Sequence, residues 1–173
     1  FLDSLRFRLQ IARYLGRLGA VDCRAADVEA MVVGEHGISQ VYVWSSARVA
    51  GVPVLDLVAR SPSGDPARFR AEVEEAVRFA NISIIEGTGA SQHGIGVVTA
   101  RIVEAILRDE GLIAPVGVVQ PAYGVTLSLP SVIGRSGVSK VLSPPLSADE
   151  SAALDRSART LRQALEELRA ASR

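Results

Sequence analysis

The 173-residue sequence has little of several residue types, and each shortage excludes a class of protein. Cys23 is the single cysteine, so the chain can form neither an internal disulfide nor a cysteine-based zinc site, which fits a reducing, cytoplasmic location. No apolar run approaches the roughly 20 residues that a membrane-spanning helix needs, so we expect no membrane partner. The 19 basic and 19 acidic residues cancel, and we therefore expect no nucleic-acid partner either.

The remaining composition is that of a folded protein. Hydrophobic residues make up 48% and charged residues 22% of the chain, which is typical of a globular core with a charged surface. The length suits one domain, and we expect residues 1–173 to form it. Phe1 leads directly into a helical pattern without a capping residue, so we also expect the chain to begin inside a larger protein.

The first third of the chain combines one helix with short extended segments. An amphipathic helix is predicted from a stripe with three- and four-residue spacing: Leu2, Leu5, Leu9, Ala12 and Leu15. Residues 28–33 predict a buried strand that ends at Gly34. Residues 41–44 and 52–55 predict two more extended segments, the last of them at a sheet edge because it contains Pro53.

The rest of the chain alternates helices with a group of strands. Helices are predicted from Ala67 and from about Gly94, with Val97 on the inward face of the second; residues 81–86 fit either a helix or a strand. Three strands are predicted at 115–120, 126–133 and 139–142. The last helix begins at Ser147 with Glu150 three residues later, a capping-box spacing, and continues as a leucine stripe to Leu168. This order predicts an α+β fold with antiparallel strands packed against long helices.

Three polar residues are the main candidates for chemistry. His36 lies between two glycines at the end of a predicted strand, where tight turning leaves the imidazole accessible. Asp3 and Arg6 lie three residues apart and share one face of the first helix. An aspartate can orient an imidazole and stabilise its charged form, and an arginine can hold a carboxylate with two parallel hydrogen bonds. The plainer alternatives are a structural loop histidine and a surface ion pair.

Other motifs are weak or missing. Gly87-Thr88-Gly89 imitates a dinucleotide-binding turn, but Gln92 occupies the place of the third glycine, so a joint between two helices is the better interpretation. Ser91 and His93 lie in that joint, where they would face a substrate. The chain contains neither a Gly-x-Ser-x-Gly elbow nor a P-loop, and its two histidines give no convincing metal site.

Several segments together resemble the C-terminal domain of the L-lactate/malate dehydrogenase family. They are Leu-Asp-Ser-Leu-Arg-Phe-Arg at 2–8, Val-Gly-Glu-His-Gly at 33–37, Val-Trp-Ser-Ser at 43–46, Gly-Ile-Gly at 94–96, Arg-Ile-Val-Glu-Ala-Ile-Leu at 101–107 and Leu-Ser-Leu-Pro-Ser-Val-Ile-Gly-Arg-Ser-Gly-Val at 127–138. The resemblance covers essentially the whole chain in order. The residues of the segments at 33–37 and 43–46 favour the lactate-type branch of the family.

The resemblance implies roles for five residues. His36 would be the acid/base that protonates the 2-oxo oxygen during hydride transfer, and Asp3 would orient it. Arg6 would bind the substrate carboxylate, Ser91 would lie near the substrate, and Ile95 would pack against the nicotinamide of NAD. The implied reaction interconverts a 2-oxoacid and a 2-hydroxyacid, which needs one proton near neutral pH.

The sequence also departs from the family pattern. Ile38 stands where the family usually has aspartate, which affects the electrostatics of the loop. Some bacterial members are activated by fructose 1,6-bisphosphate through an arginine and a histidine; Arg8 matches the first, but Glu29 replaces the second. The family's N-terminal Rossmann domain, with its glycine fingerprint and mobile loop, is absent from these 173 residues. We therefore expect the isolated chain to bind NAD poorly and to be inactive.

Two other functions remain as alternatives. The first is a stand-alone assembly or binding module derived from the same fold. The second is a relative that uses the same domain to hydrolyse glycosides with NAD and a metal, although no metal site is evident. The resemblance further implies a dimer or tetramer, with apolar surface left exposed around Leu2, Leu5 and Ile95. The sequence does not fix the preferred 2-oxoacid, the choice between NAD and NADP, or the oligomeric state.

Overall fold

The computed structural model describes residues 1–172, which divide into two compact units. Within that range the helices are α1 (Leu2–Arg17), α2 (Val54–Arg60), α3 (Pro66–Arg78), α4 (Ala80–Thr88), α5 (Gln92–Arg108) and α6 (Ala148–Ala171). The strands are β1 (Val28–Glu29), β2 (Val32–Val33), β3 (Val41–Tyr42), β4 (Arg48–Val49), β5 (Val52–Pro53), β6 (Leu112–Gln120), β7 (Val125–Gly134) and β8 (Gly137–Val141). All described strand pairs are antiparallel, so the α+β prediction is confirmed.

The first unit comprises residues 1–31 and 43–101 and is built around α1. Helices α2 and α3 pack on α1, and a small sheet in the order β1-β4-β5 lies beside them. Its core centres on aromatic rings: Phe7 meets Trp44 edge-on at 4.7 Å between ring centres, and Trp44 meets Phe69 at 5.9 Å. The buried face of α1 therefore anchors the helix whose first turn carries Asp3 and Arg6.

The second unit comprises residues 32–42 and the chain from Ile102 onward. A three-stranded sheet in the order β6-β7-β8 provides one layer, and α6 packs against β7 and β3. The short pair β2–β3 joins this sheet through Gly34, whose N–H donates to Ser128 O at 2.8 Å and whose carbonyl accepts from Ser128 N at 3.0 Å. Leu127, Leu129 and Leu154 fill the space between sheet and helix.

Most predicted elements are confirmed, including the capping box. Ser147 Oγ accepts from Glu150 N at 3.3 Å, and Ser147 N donates to the Glu150 carboxylate at 2.9 Å. Residues 81–86, which fitted either state, are helical in α4. No helix within residues 1–172 is both long and apolar enough to cross a membrane.

Several predictions of local structure are wrong. Residues 52–55 are not one strand, because the chain turns into α2 after Pro53, whose restricted φ suits the residue before a helix. On α1, Ala12 and Leu15 of the predicted stripe are buried, but Leu9 is 38% exposed. Ser4, Phe7 and Ile11, which the prediction left out, complete the buried face.

The inward faces predicted for the later helices are wrong in part. Val97 of α5 is 70% exposed, whereas its neighbour Val98 is buried. The stripe on α6 is buried at Leu154 and Ala158, but its far end is exposed at Leu168. The leucine spacing on α6 therefore continues beyond the part of the helix that packs on the sheet.

Candidate active site

The first turn of α1 places Asp3 and Arg6 together. The Arg6 Nη1 atom donates to Asp3 Oδ1 at 3.1 Å, as the three-residue spacing predicts. Only 14% of the Arg6 side chain and 12% of the Asp3 side chain are exposed. The pair is therefore largely desolvated, unlike the mobile surface ion pair that was its plainer interpretation.

Ser91 and Ile95 lie near this turn, in the same unit. Helix α4 ends at Gly89, whose φ of +79° reverses the chain, and α5 begins at Gln92. A Cβ atom added to Gly94 would lie 3.6 Å from Leu2 Cδ1, so the start of α5 lies against the start of α1. Ser91 is half-buried at this junction, whereas Ile95 is 53% exposed.

The apolar surface predicted around Leu2, Leu5 and Ile95 is present only in part. Leu2 and Leu5 are half-buried, whereas Ile95 is exposed, and further exposed apolar side chains lie on α4 and α5. Helix α4 buries none of its residues, although it carries Ile82, Ile84 and Ile85.

His36 lies in the second unit, in the loop that follows β2. Gly34 adopts a φ of +86°, which turns the chain out of the strand, and His36 itself is exposed. The next residues keep the loop tight, because Gln40 N donates to Gly37 O at 3.4 Å. Ile38, at the position where the family usually has aspartate, is 85% exposed. The pairing of His36 with Asp3 stays a prediction, since the two residues belong to different units.

Sequence analysis missed the residues that hold the His36 loop in place. The Glu35 backbone N–H donates to Ser157 Oγ of α6 at 2.8 Å, across 122 residues of sequence. The Glu35 carboxylate accepts from Ser39 N at 3.0 Å and from the Ser39 hydroxyl. The one signal was a serine inside the apolar stripe of α6, between Leu154 and Ala158.

The structure also describes the glycine-rich segment and the surroundings of the possible metal ligands. The Gly87-Thr88-Gly89 segment ends helix α4 and follows no strand, which confirms a joint between helices. Within residues 1–172, no three His, Cys, Asp or Glu side chains form a group that could hold a metal ion.

The position of Arg8 bears on anion binding. Its Nε atom donates to Ala30 O at 2.8 Å. Burial lowers the pKa of the Arg8 guanidinium from its ordinary value, and the nearby Glu29 carboxylate acts in the opposite direction. Glu29 therefore adds a negative charge near the Arg8 guanidinium, within the same unit.

Comparison with known families supports the expected relationship. The family model described as lactate/malate dehydrogenase, alpha/beta C-terminal domain, matches residues 1–171. The chain belongs to this family. Its fold, with antiparallel strands and long helices, is that of the lactate dehydrogenase C-terminal domain.

Individual relatives agree with that assignment. An L-lactate dehydrogenase of Deinococcus radiodurans is 45% identical over 161 residues, which are 93% of this chain and 51% of the relative. An L-lactate dehydrogenase of Nitratidesulfovibrio vulgaris is 47% identical over 164 residues, which cover 92% of this chain and 51% of the relative. The chain thus spans about half the length of the curated relatives it matches.

Solved structures give the same result. The crystal structure of a lactate dehydrogenase from a Medee basin deep-sea metagenome library superposes with a TM-score of 0.84 at 30% identity, covering 95% of this chain and 52% of that one. The crystal structure of the minor L-lactate dehydrogenase of Enterococcus mundtii also gives a TM-score of 0.84 at 29% identity. The match covers 96% of this chain and 52% of that one.

Proposed function

We propose that this chain is the substrate-binding half of an NAD-dependent L-2-hydroxyacid dehydrogenase that interconverts a 2-oxoacid and a 2-hydroxyacid. The observation that carries the proposal is the largely buried Asp3–Arg6 pair on α1, in a chain 45% identical to an L-lactate dehydrogenase. Because the relatives reported above are named L-lactate dehydrogenase, we favour a lactate-type substrate over a malate-type one.

The proposed role of Arg6 follows from its geometry. A guanidinium has five N–H donors in a planar fork, and the bond to Asp3 uses one of them. The fork matches a carboxylate with two parallel hydrogen bonds, and the low exposure of Arg6 strengthens that attraction. Asp3 would hold the fork in position and orient the histidine.

His36 is proposed to be the acid/base that transfers the proton to and from the substrate oxygen. Reduction of a 2-oxoacid places negative charge on the 2-oxo oxygen, and an imidazolium can donate a proton there near neutral pH. The reverse reaction requires the neutral imidazole to accept that proton. Ser91, half-buried at the start of α5, would contact the substrate from the side of α1.

The cofactor would be held mainly by a nucleotide-binding half outside these residues. Within the described chain, Ile95 offers an exposed apolar side chain suited to the flat nicotinamide ring. NAD, when bound, supplies or accepts the hydride at the substrate carbon. We accordingly expect the gene product to exceed this chain by roughly 150 residues, the size of a typical domain. We also propose a cytoplasmic, dimeric or tetrameric enzyme.

The test is the kinetics of the full-length gene product that contains this chain. We expect Arg6→Lys to reduce kcat/KM for pyruvate by about 10- to 100-fold, as loss of 1.5–3 kcal/mol of charged hydrogen bonding requires. Arg13→Lys, on the exposed side of the same helix, is the matched control and should change little. Equal kinetics for the two variants, or a wild-type protein without 2-oxoacid reduction, would contradict the proposal.

A further inference from the structure

The loop that carries His36 is attached to α6 at one point. Ser157 is completely buried, and its hydroxyl oxygen accepts the hydrogen bond from Glu35 N at 2.8 Å. The backbone at Gly34, just before the loop, also lies close to the Ser157 side chain, because a Cβ atom added to Gly34 would lie 2.7 Å from Ser157 Oγ. One serine therefore contacts the two residues that immediately precede His36.

The other side of the loop is closed by the Glu35 carboxylate. It accepts from Ser39 N at 3.0 Å and from the Ser39 hydroxyl, which also lies 3.4 Å from Ser157 Oγ. Residues 35 and 39 are thus joined by side-chain bonds, and the three residues between them form the closed tip. The backbone at His36 is fixed from both sides although its side chain is exposed.

This attachment matters because the tip has little packing of its own. His36 and Ile38 are both exposed, and Gly37 adds backbone freedom. An acid/base group has to be held within about 0.5 Å of its productive position, and supporting hydrogen bonds usually provide that constraint. In the second unit, the Ser157–Glu35–Ser39 network supplies hydrogen bonds of this kind on both sides of the tip.

We propose that Ser157 is a positioning residue for His36, acting through the Glu35 backbone and the Glu35–Ser39 closure. The proposal rests on the dehydrogenase function proposed above. It adds a positioning residue that is far from His36 in the sequence. Ser157 touches neither substrate nor cofactor in this account; its hydroxyl holds the loop in the geometry that proton transfer needs.

The kinetic test uses the full-length gene product and Ser157→Ala, which removes the hydroxyl and keeps the Cβ atom. We expect kcat to fall about tenfold, while KM for the 2-oxoacid and for NADH changes by less than about twofold. Ser151→Ala, at an exposed position of the same helix, is the matched control. Assays are run where thermal unfolding shows both variants fully folded.

A second variant separates positioning from packing. Ser39→Ala opens the closure from the other side, so its effect on kcat should not add to that of Ser157→Ala in the double variant. Additive losses, or a Ser157→Ala enzyme whose kcat stays within about twofold of the Ser151→Ala control, would overturn the proposal.

A spectroscopic measurement distinguishes this inference from the proposed function. Imidazole nitrogen resonances of His36 and His93 are recorded by long-range proton–nitrogen correlation and assigned with His36→Asn and His93→Asn variants. Ser157→Ala should shift or broaden the His36 signals and leave the His93 signals in place. Unchanged His36 signals would overturn the positioning role whether or not the protein is a dehydrogenase. If the wild type is inactive but Ser157→Ala still shifts the His36 resonances, the proposed dehydrogenase function is refuted. The link between Ser157 and His36 is then retained.

Discussion

Gly34 offers the sharpest test of how tightly the His36 loop is attached. Its φ of +86° lies in the region that side chains rarely adopt, so Gly34→Ala costs about 1–2 kcal/mol in the backbone alone. The new methyl would also lie 2.7 Å from Ser157 Oγ, 3.3 Å from Ser157 Cβ and 3.4 Å from Leu154 Cδ1. Overpacking of this kind adds about 1–3 kcal/mol, for a total of about 2–5 kcal/mol.

Gly137 is the matched control for this substitution. Its φ of +88° is nearly the same, but a Cβ atom there would meet nothing within 4 Å. Gly137→Ala should therefore cost only the backbone part, about 1–2 kcal/mol. The difference between the two variants isolates the contact with α6.

The assay is urea denaturation, with the midpoint compared at constant m. Gly34→Ala should unfold at lower urea than Gly137→Ala, by about 1–3 kcal/mol in free energy. Adding Ser157→Ala should recover part of that difference, since the closest atom in the contact is removed. Equal midpoints for Gly34→Ala and Gly137→Ala would refute the close approach of the loop to α6.

Three further predictions concern other parts of the chain. Glu74→Ala should lower the free energy of unfolding by about 1.5–3 kcal/mol, because Trp44 Nε1 donates to the Glu74 carboxylate at 2.7 Å; urea unfolding followed by tryptophan fluorescence measures it. The Arg24 guanidinium lowers the pKa of Asp27 to about 2, so this pair stabilises the fold above the ordinary pKa of 3.8 and stops doing so as pH falls through about 2. Carboxyl NMR titration should show Asp27 returning toward 3.8 in Arg24→Ala. Fructose 1,6-bisphosphate should leave the kinetics of the full-length enzyme unchanged, because Glu29 adds a negative charge near Arg8; activation would contradict this.

The long elements could be predicted because each rests on a local pattern. The capping box at Ser147 and Glu150 predicted the start of α6, and the β-like run at 126–133, which ends at a glycine, predicted β7. The short α2 could not be found in this way, because Val-Pro-Val-Leu at 52–55 has the composition of a strand, although the helix begins at Val54. The side of α1 that is buried depends on the partners of Phe7, which are remote in sequence.

The candidate site shows the same division. Asp3 and Arg6 were predictable as a pair because one helical turn brings them together. The support of the His36 loop was not predictable, because Ser157 and Glu35 lie 122 positions apart in the sequence and meet only in the folded chain. A serine in an apolar stripe gives no sign of its partner until the fold is known.

The most direct test of the account is the pyruvate-dependent oxidation of NADH by the full-length gene product and its His36→Asn variant. The account predicts that His36→Asn lowers kcat by about 10²- to 10⁴-fold, the usual contribution of a general acid. A His36→Asn enzyme that keeps most of the wild-type rate would contradict the assignment of His36 as the acid/base.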